Sequence, residues 1–151
     1  SHSPRRDESP PGRLPTMLTH ADQWDSTRWY NFKPSEFVCK HCNKLQISDI
    51  VLDFVQAYRQ VAGTSVSITS GYRCPEHNNS VSSTGQDGPH TTGLAVDIGT
   101  NTQSQYQLLR FGLQYNPRAM GIGIAKTFTH IDFLTIDQGK KYVVRPNVWR
   151  Y

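Results

Sequence analysis

No run of about 18 apolar residues occurs anywhere in the 151-residue chain, which excludes a hydrophobic membrane-spanning helix. Hydrophobic residues are scarce overall, at 36%. Much of the shortfall lies in the opening stretch SHSPRRDESPPG, which has three prolines, several charges and no large apolar side chain. Such a stretch cannot bury enough surface to offset the entropy of ordering it. Residues 1–30 are therefore expected to form a Pro-rich, flexible N-terminal arm, and residues 31–151 one folded domain. A dominant charge of one sign is also missing. The net charge of +4 is explained by a solvated surface, so no nucleic-acid partner is expected, while attraction to an anionic bacterial wall is compatible with it.

Cysteine is sparse and odd in number: Cys39, Cys42 and Cys74. Cys39-Lys-His-Cys42 reads as half of a zinc knuckle, but no second CxxC or HxxxH follows at ribbon spacing, so a nucleic-acid zinc finger is not expected. The preferred reading is one disulfide from Cys74 to Cys39 or Cys42, with three free thiols as the alternative.

What is present is a set of clear periodicities. Trp24, Trp29, Tyr30, Phe32 and Phe37 are suited to an apolar strap over the domain. Ser48 is a good N-cap, and Ile47, Ile50, Val51, Phe54, Val55, Tyr58 and Val61 recur at helical spacing up to a stop at Gly63. Val66 and Ile68 alternate with polar residues as a half-buried strand does. Residues 70–89 are turn-rich and read as a long loop. Residues 93–98 read as a strand, and 101–116 as a helix with Tyr106, Leu109 and Leu113 on one side. Residues 120–125 and 128–134 read as two short strands. Asp137 to Lys140 reads as a turn into a last strand around Tyr142–Arg145. The order predicts an α+β fold, a small antiparallel sheet with flanking helices.

Two segments carry chemistry. In His90-Thr-Thr-Gly93-Leu-Ala-Val-Asp97 a carboxylate sits in an apolar strand, where an unpaired charge is costly. A metal shared with His90 would supply its partner. In Phe128-Thr-His130-Ile-Asp132-Phe133, His130 and Asp132 point to one strand face. Two imidazole nitrogens and one carboxylate oxygen suit Zn²⁺, with a fourth position open for water, as in hydrolytic sites. The plainer alternatives are a hydrogen-bonded core histidine, a strand-ending aspartate and an ordinary same-face hydrogen-bonding pair.

The stretches SGYRCPEHN (Ser70–Asn78), HTTGLAVD (His90–Asp97) and GIG…THIDF, with EFxCxxC upstream, resemble the M15 zinc peptidases over roughly residues 31 to 145. That family includes D-alanyl-D-alanine carboxypeptidases and phage L-alanyl-D-glutamate endopeptidases, and shares its fold with the hedgehog signalling domain. The match looks nearest to a small branch common among phages. The resemblance implies Zn²⁺ held by His90, Asp97 and His130, with Arg73 beside it to bind a substrate carboxylate or a developing oxyanion. For Arg73 a structural ion pair is the alternative, and His77 and Glu76 read as loop-structuring residues.

Two departures stand out. Gly88 replaces a usual serine two residues before the first ligand. Thr127 stands where many relatives carry the catalytic acid, so Asp132 is the nearest acidic candidate for the base, or else a group supporting a ligand. The implied activity is hydrolysis of peptide bonds in bacterial peptidoglycan, by an endopeptidase or a D,D-carboxypeptidase. The setting would be a phage virion or a lysin released to the cell wall or periplasm, with secretion a further option. The N-terminal arm would then be available to contact other virion proteins. The competing expectation is an inactive, zinc-containing binding or structural virion protein.

Overall fold

The computed structural model describes residues 14–82, 88–139 and 144–151. Strand β1 (Met17–Leu18) pairs antiparallel with β2 (Ile47–Ser48), which runs straight into helix α1 (Asp49–Ala62). The Ser48 side chain caps α1 by accepting from Ile50 N–H at 3.2 Å, and the helix ends at Gly63. Leu52 joins Val51, Phe54, Val55 and Tyr58 in the buried stripe, whereas Val61 is exposed.

The aromatic strap docks on α1. Trp29, Phe32 and Phe37 are buried, and the Trp24 ring lies 5.1 Å from Trp29 and 5.7 Å from Phe37. Arg28 grips the Asp53 carboxylate through Nη2 at 2.6 Å and Nε at 2.8 Å, and the Trp29 indole donates to the same carboxylate at 2.9 Å. The second half of the expected arm is thus packed: Leu18 and Trp29 are each only 2% exposed. One leucine, one tryptophan and an arginine clamp outweigh the polar composition around them. Residues 1–13 lie outside the described residues.

The remaining elements in chain order are β3 (Ile68–Ser70), α2 (Pro75–Val81), β4 (Ala95–Gly99) and α3 (Thr102–Gln114). After them come β5 (Gly121–Ile124), β6 (Phe128–Asp132), α4 (Ile136–Gly139) and β7 (Asn147–Arg150). The sheet order is β3-β4-β6-β5-β7, antiparallel except for the β5–β7 pair, which is parallel. The fold is α+β, as the sequence implies, with a mixed rather than purely antiparallel sheet. Among the described residues no helix is long and apolar enough to cross a membrane.

One sheet face builds the core. Val96, Ile98 and Ile131 pack with Phe54, whose ring lies 5.4 Å from Phe111 and 5.2 Å from both Tyr115 and Phe133. This aromatic cluster corrects the expected face of α3. Leu108, Phe111 and Gly112 are buried, while Tyr106 and Leu113 are 73% and 59% exposed. Two further corrections concern local structure. The 70–89 stretch contains α2, a short polar helix without an apolar stripe. Residues 136–139 form a helical turn. The expected strand around Tyr142–Arg145 lies partly outside the described residues, and the final strand is 147–150.

Candidate metal centre

Asp97 on β4 stands opposite His130 on β6, and Ala95 opposite Asp132. Strand alternation sends Val96, Ile98 and Ile131 into the core and turns Asp97, His130 and Asp132 to the other face. His90 arrives from the 3-10 turn Pro89–Thr92, which closes on Gly93 at φ 78°. A side chain at Gly93 would be strained there and would meet Met17 Sδ at 2.7 Å and the Gln46 carbonyl oxygen at 2.8 Å.

These elements bring three atoms together. Asp97 Oδ1 lies 3.1 Å from His90 Nε2 and 3.0 Å from His130 Nδ1, and the two nitrogens are 3.3 Å apart. All three residues are buried. Their outer contacts determine where the ring hydrogens sit. His90 Nδ1 lies 2.8 Å from the Gly71 carbonyl oxygen, which only accepts, so that nitrogen donates and Nε2 keeps its lone pair. In His130 the roles are reversed: Nε2 donates to Asp132 Oδ2 at 2.7 Å, leaving Nδ1 as the inward lone pair.

Three acceptors therefore converge with no donor among them, an arrangement that requires a cation or a proton at its centre. A tetrahedral zinc ion with bonds of about 2.0–2.1 Å spaces its ligand atoms roughly 3.3–3.4 Å apart. The triangle is slightly tighter than that, and its donor set fits. In the metal-free chain a proton serves instead. Burial opposes charge on His130, but Asp132 and Asp97 outweigh it and push the imidazole up to about 9. Burial likewise opposes charge on Asp97, yet His90 and His130 hold it below the usual carboxylate range.

Asp132 sits behind His130, away from the triangle. Its side chain is fully buried, and Arg145 grips it through Nη2 to Oδ2 at 2.7 Å and Nε to Oδ1 at 3.0 Å. Burial opposes ionisation, but the bonds from His130 and Arg145 bring the carboxyl down to about 2. Gly121 leaves the space that the Asp132 carboxylate fills, since a β-carbon there would overlap it. In this position Asp132 accepts from His130 Nε2 and from Arg145, on the side of the imidazole away from the triangle. Thr127 is exposed.

The open side of the triangle faces a cleft of about 580 Å³ lined by Arg73, Asn78, Arg145, Trp149, Arg150 and Tyr151 as well as the three acceptor residues. Arg73 Nη2 lies 3.5 Å from Asp97 Oδ2, and Nη1 donates to Asn78 Oδ1 at 3.1 Å. It therefore makes the expected ion pair and borders the cleft as well. The Trp149 ring lies 5.2 Å from that of His130 and 5.1 Å from the Arg145 guanidinium.

Sequence reasoning missed Arg145 and Trp149. The available signal was a buried Asp132 requiring a cation, with Arg-Pro-Asn-Val-Trp-Arg shortly downstream. Glu76 is exposed and lies 3.6 Å from His41 Nε2, away from the triangle, and His77 stacks on His41. The expected disulfide is absent: Cys39, Cys42 and Cys74 are free thiols that share one cluster. Burial works against ionisation of Cys39, but backbone N–H groups of Cys74, Cys42 and His41 bring its thiol down to about 7.

Comparisons with curated proteins and with solved structures gave no significant match. The model of one family, Peptidase M15, matches residues 30–132, more than half of the chain and the span that holds His90, Asp97, His130 and Asp132. The chain belongs to the Peptidase M15 family.

Proposed function

We propose that this chain is a zinc-dependent peptidase that cleaves peptide bonds in bacterial peptidoglycan. The observation that carries the reading is the buried, acceptor-only triangle of His90, Asp97 and His130 opening on a cleft. These three residues would hold the ion. When bound, zinc supplies a Lewis acid that activates water and polarises the scissile carbonyl. The Gly71 carbonyl and Asp132 keep the two imidazoles aimed inward. Arg73 offers its guanidinium to a substrate carboxylate or to the carbonyl oxygen as charge develops on it. Among the described lining residues Arg73 and Arg150 face one carboxylate, Asp97, while Arg145 is committed to Asp132. That balance suits a peptide bearing free carboxylates, as wall stem peptides do. Trp149 and Tyr151 add apolar walls.

A second reading rests on one specific observation. With Thr127 exposed and Asp132 enclosed, no uncommitted carboxylate lines the cleft among the described residues. This favours a zinc-holding module that binds wall peptides without hydrolysing them. One assay separates the two: zinc-loaded protein and a His130→Ala variant are incubated with purified peptidoglycan, and released amino groups are counted. The peptidase reading expects release by the wild type and loss of both release and zinc in the variant. Zinc-loaded wild type that binds wall material and releases nothing would establish the binding module instead.

A further inference from the structure

The CxxC segment meets its complement in the fold. The sulfurs of Cys39, Cys42 and Cys74 lie within 4.8 Å of one another, and no disulfide joins them. Three thiolates around one zinc ion at about 2.3 Å would sit roughly 3.8 Å apart, so small side-chain rotations close the site. The backbone is already shaped for it. Cys39 N–H donates to the Lys44 carbonyl at 2.8 Å, and Asn43 N–H to the Cys39 carbonyl at 2.7 Å. Asn43 turns the chain back at φ 60°, the left-handed region that asparagine tolerates better than most residues. The fold also brings the Cys74 N–H to Cys39 Sγ at 3.3 Å. Cys74 Sγ accepts from His77 N–H at 3.4 Å.

We propose that Cys39, Cys42 and Cys74 form a second, structural zinc site, distinct from the His90–Asp97–His130 centre. A disulfide would use two sulfurs and leave the third idle; a metal uses all three. The site joins the 39–44 turn to the residue directly after Arg73, and so braces the arginine that borders the cleft.

The test is zinc content of protein purified under reducing conditions, with cobalt substitution as a second readout. Wild type is expected to hold two zinc ions, His130→Ala one, and the Cys42→Ser/Cys74→Ser double variant one. Cobalt-loaded His130→Ala should show a thiolate-to-cobalt charge-transfer band in the near ultraviolet. Should the cysteine variant fail to fold, mercurial titration of wild-type thiols should release one equivalent of zinc. A His130→Ala protein without metal and without the band would overturn the site, as would thiol titration that releases no zinc. These outcomes are independent of whether the chain hydrolyses peptidoglycan.

Discussion

His130 and Asp97 face each other across adjacent strands, with Nδ1 of the histidine 3.0 Å from Oδ1 of the aspartate. The strand pairing sets this distance, because both side chains stand on the sheet face away from Val96 and Ile131. A slip of one residue on either strand would place one of them in the core. The apolar alternation that builds the hydrophobic interior thus also sets the register of the polar site.

Metal and proton compete for that pair. Asp132 and Asp97 push the His130 imidazole up to about 9, so a metal ion taken up at pH 7 would displace its proton. Binding is expected to release about one proton per zinc ion, with affinity falling up to about tenfold for each pH unit below 9. Calorimetry at one pH in two buffers of different ionisation enthalpy measures the released proton directly. The stability linkage of the metal-free chain runs in a definite direction. The raised imidazole pKa stabilises the fold fully below the ordinary value of 6.5, and that contribution is lost as pH rises through 9.

Asp132→Asn tests the orienting role. The amide removes the charge that polarises His130 and that Arg145 holds in the interior. Zinc affinity should fall about 10–100-fold, and unfolding free energy by about 3–5 kcal/mol. Competition against a chelating dye and denaturant titration read the two effects separately. Zinc affinity unchanged within twofold would remove Asp132 from the metal centre.

Arg73→Ala is expected to leave zinc content intact and lower kcat/KM on peptidoglycan fragments by about 10²–10³-fold. Arg73→Lys should recover little, since a point charge replaces a planar fork. Zinc loss in Arg73→Ala would instead make the arginine a structural partner of Asp97.

Gly93→Ala should destabilise the chain by about 1–3 kcal/mol, because a β-carbon is strained at that φ and strikes Met17 and Gln46. Thermal unfolding measures the shift. An unchanged midpoint would mean that the bend relaxes freely.

The parts legible in the sequence were those whose signals are local. Helix α1 announces itself through the Ser48 cap and one continuous stripe. Asp97 is conspicuous because a carboxylate interrupts an apolar strand. Where the outcome depends on distant partners, the sequence is silent. Alternation puts His130 and Asp132 on one face without saying which side of the imidazole the carboxylate will take; Arg145, thirteen residues on, decides it. Helix α2 has no stripe to detect, and the face of α3 follows from Phe54, which packs on Phe111 and Tyr115 in a core shared with Leu108 and leaves Leu113 exposed. Counting cysteines suggests a pair, whereas the fold gathers all three.

Strand β7 lies beyond the matched family span, yet it supplies the Trp149 wall and follows directly on Arg145. The three acceptor residues and one wall of the cleft therefore come from different lengths of chain, while Arg73 and Asn78 line the cleft from within the matched span. The Trp149 ring lies 5.2 Å from that of His130, so a change within residues 147–151 reaches the triangle as well as the cleft wall. Any change that shifts Arg145 would pass through Asp132 to His130, so the cleft lining and the aim of the imidazole would change together.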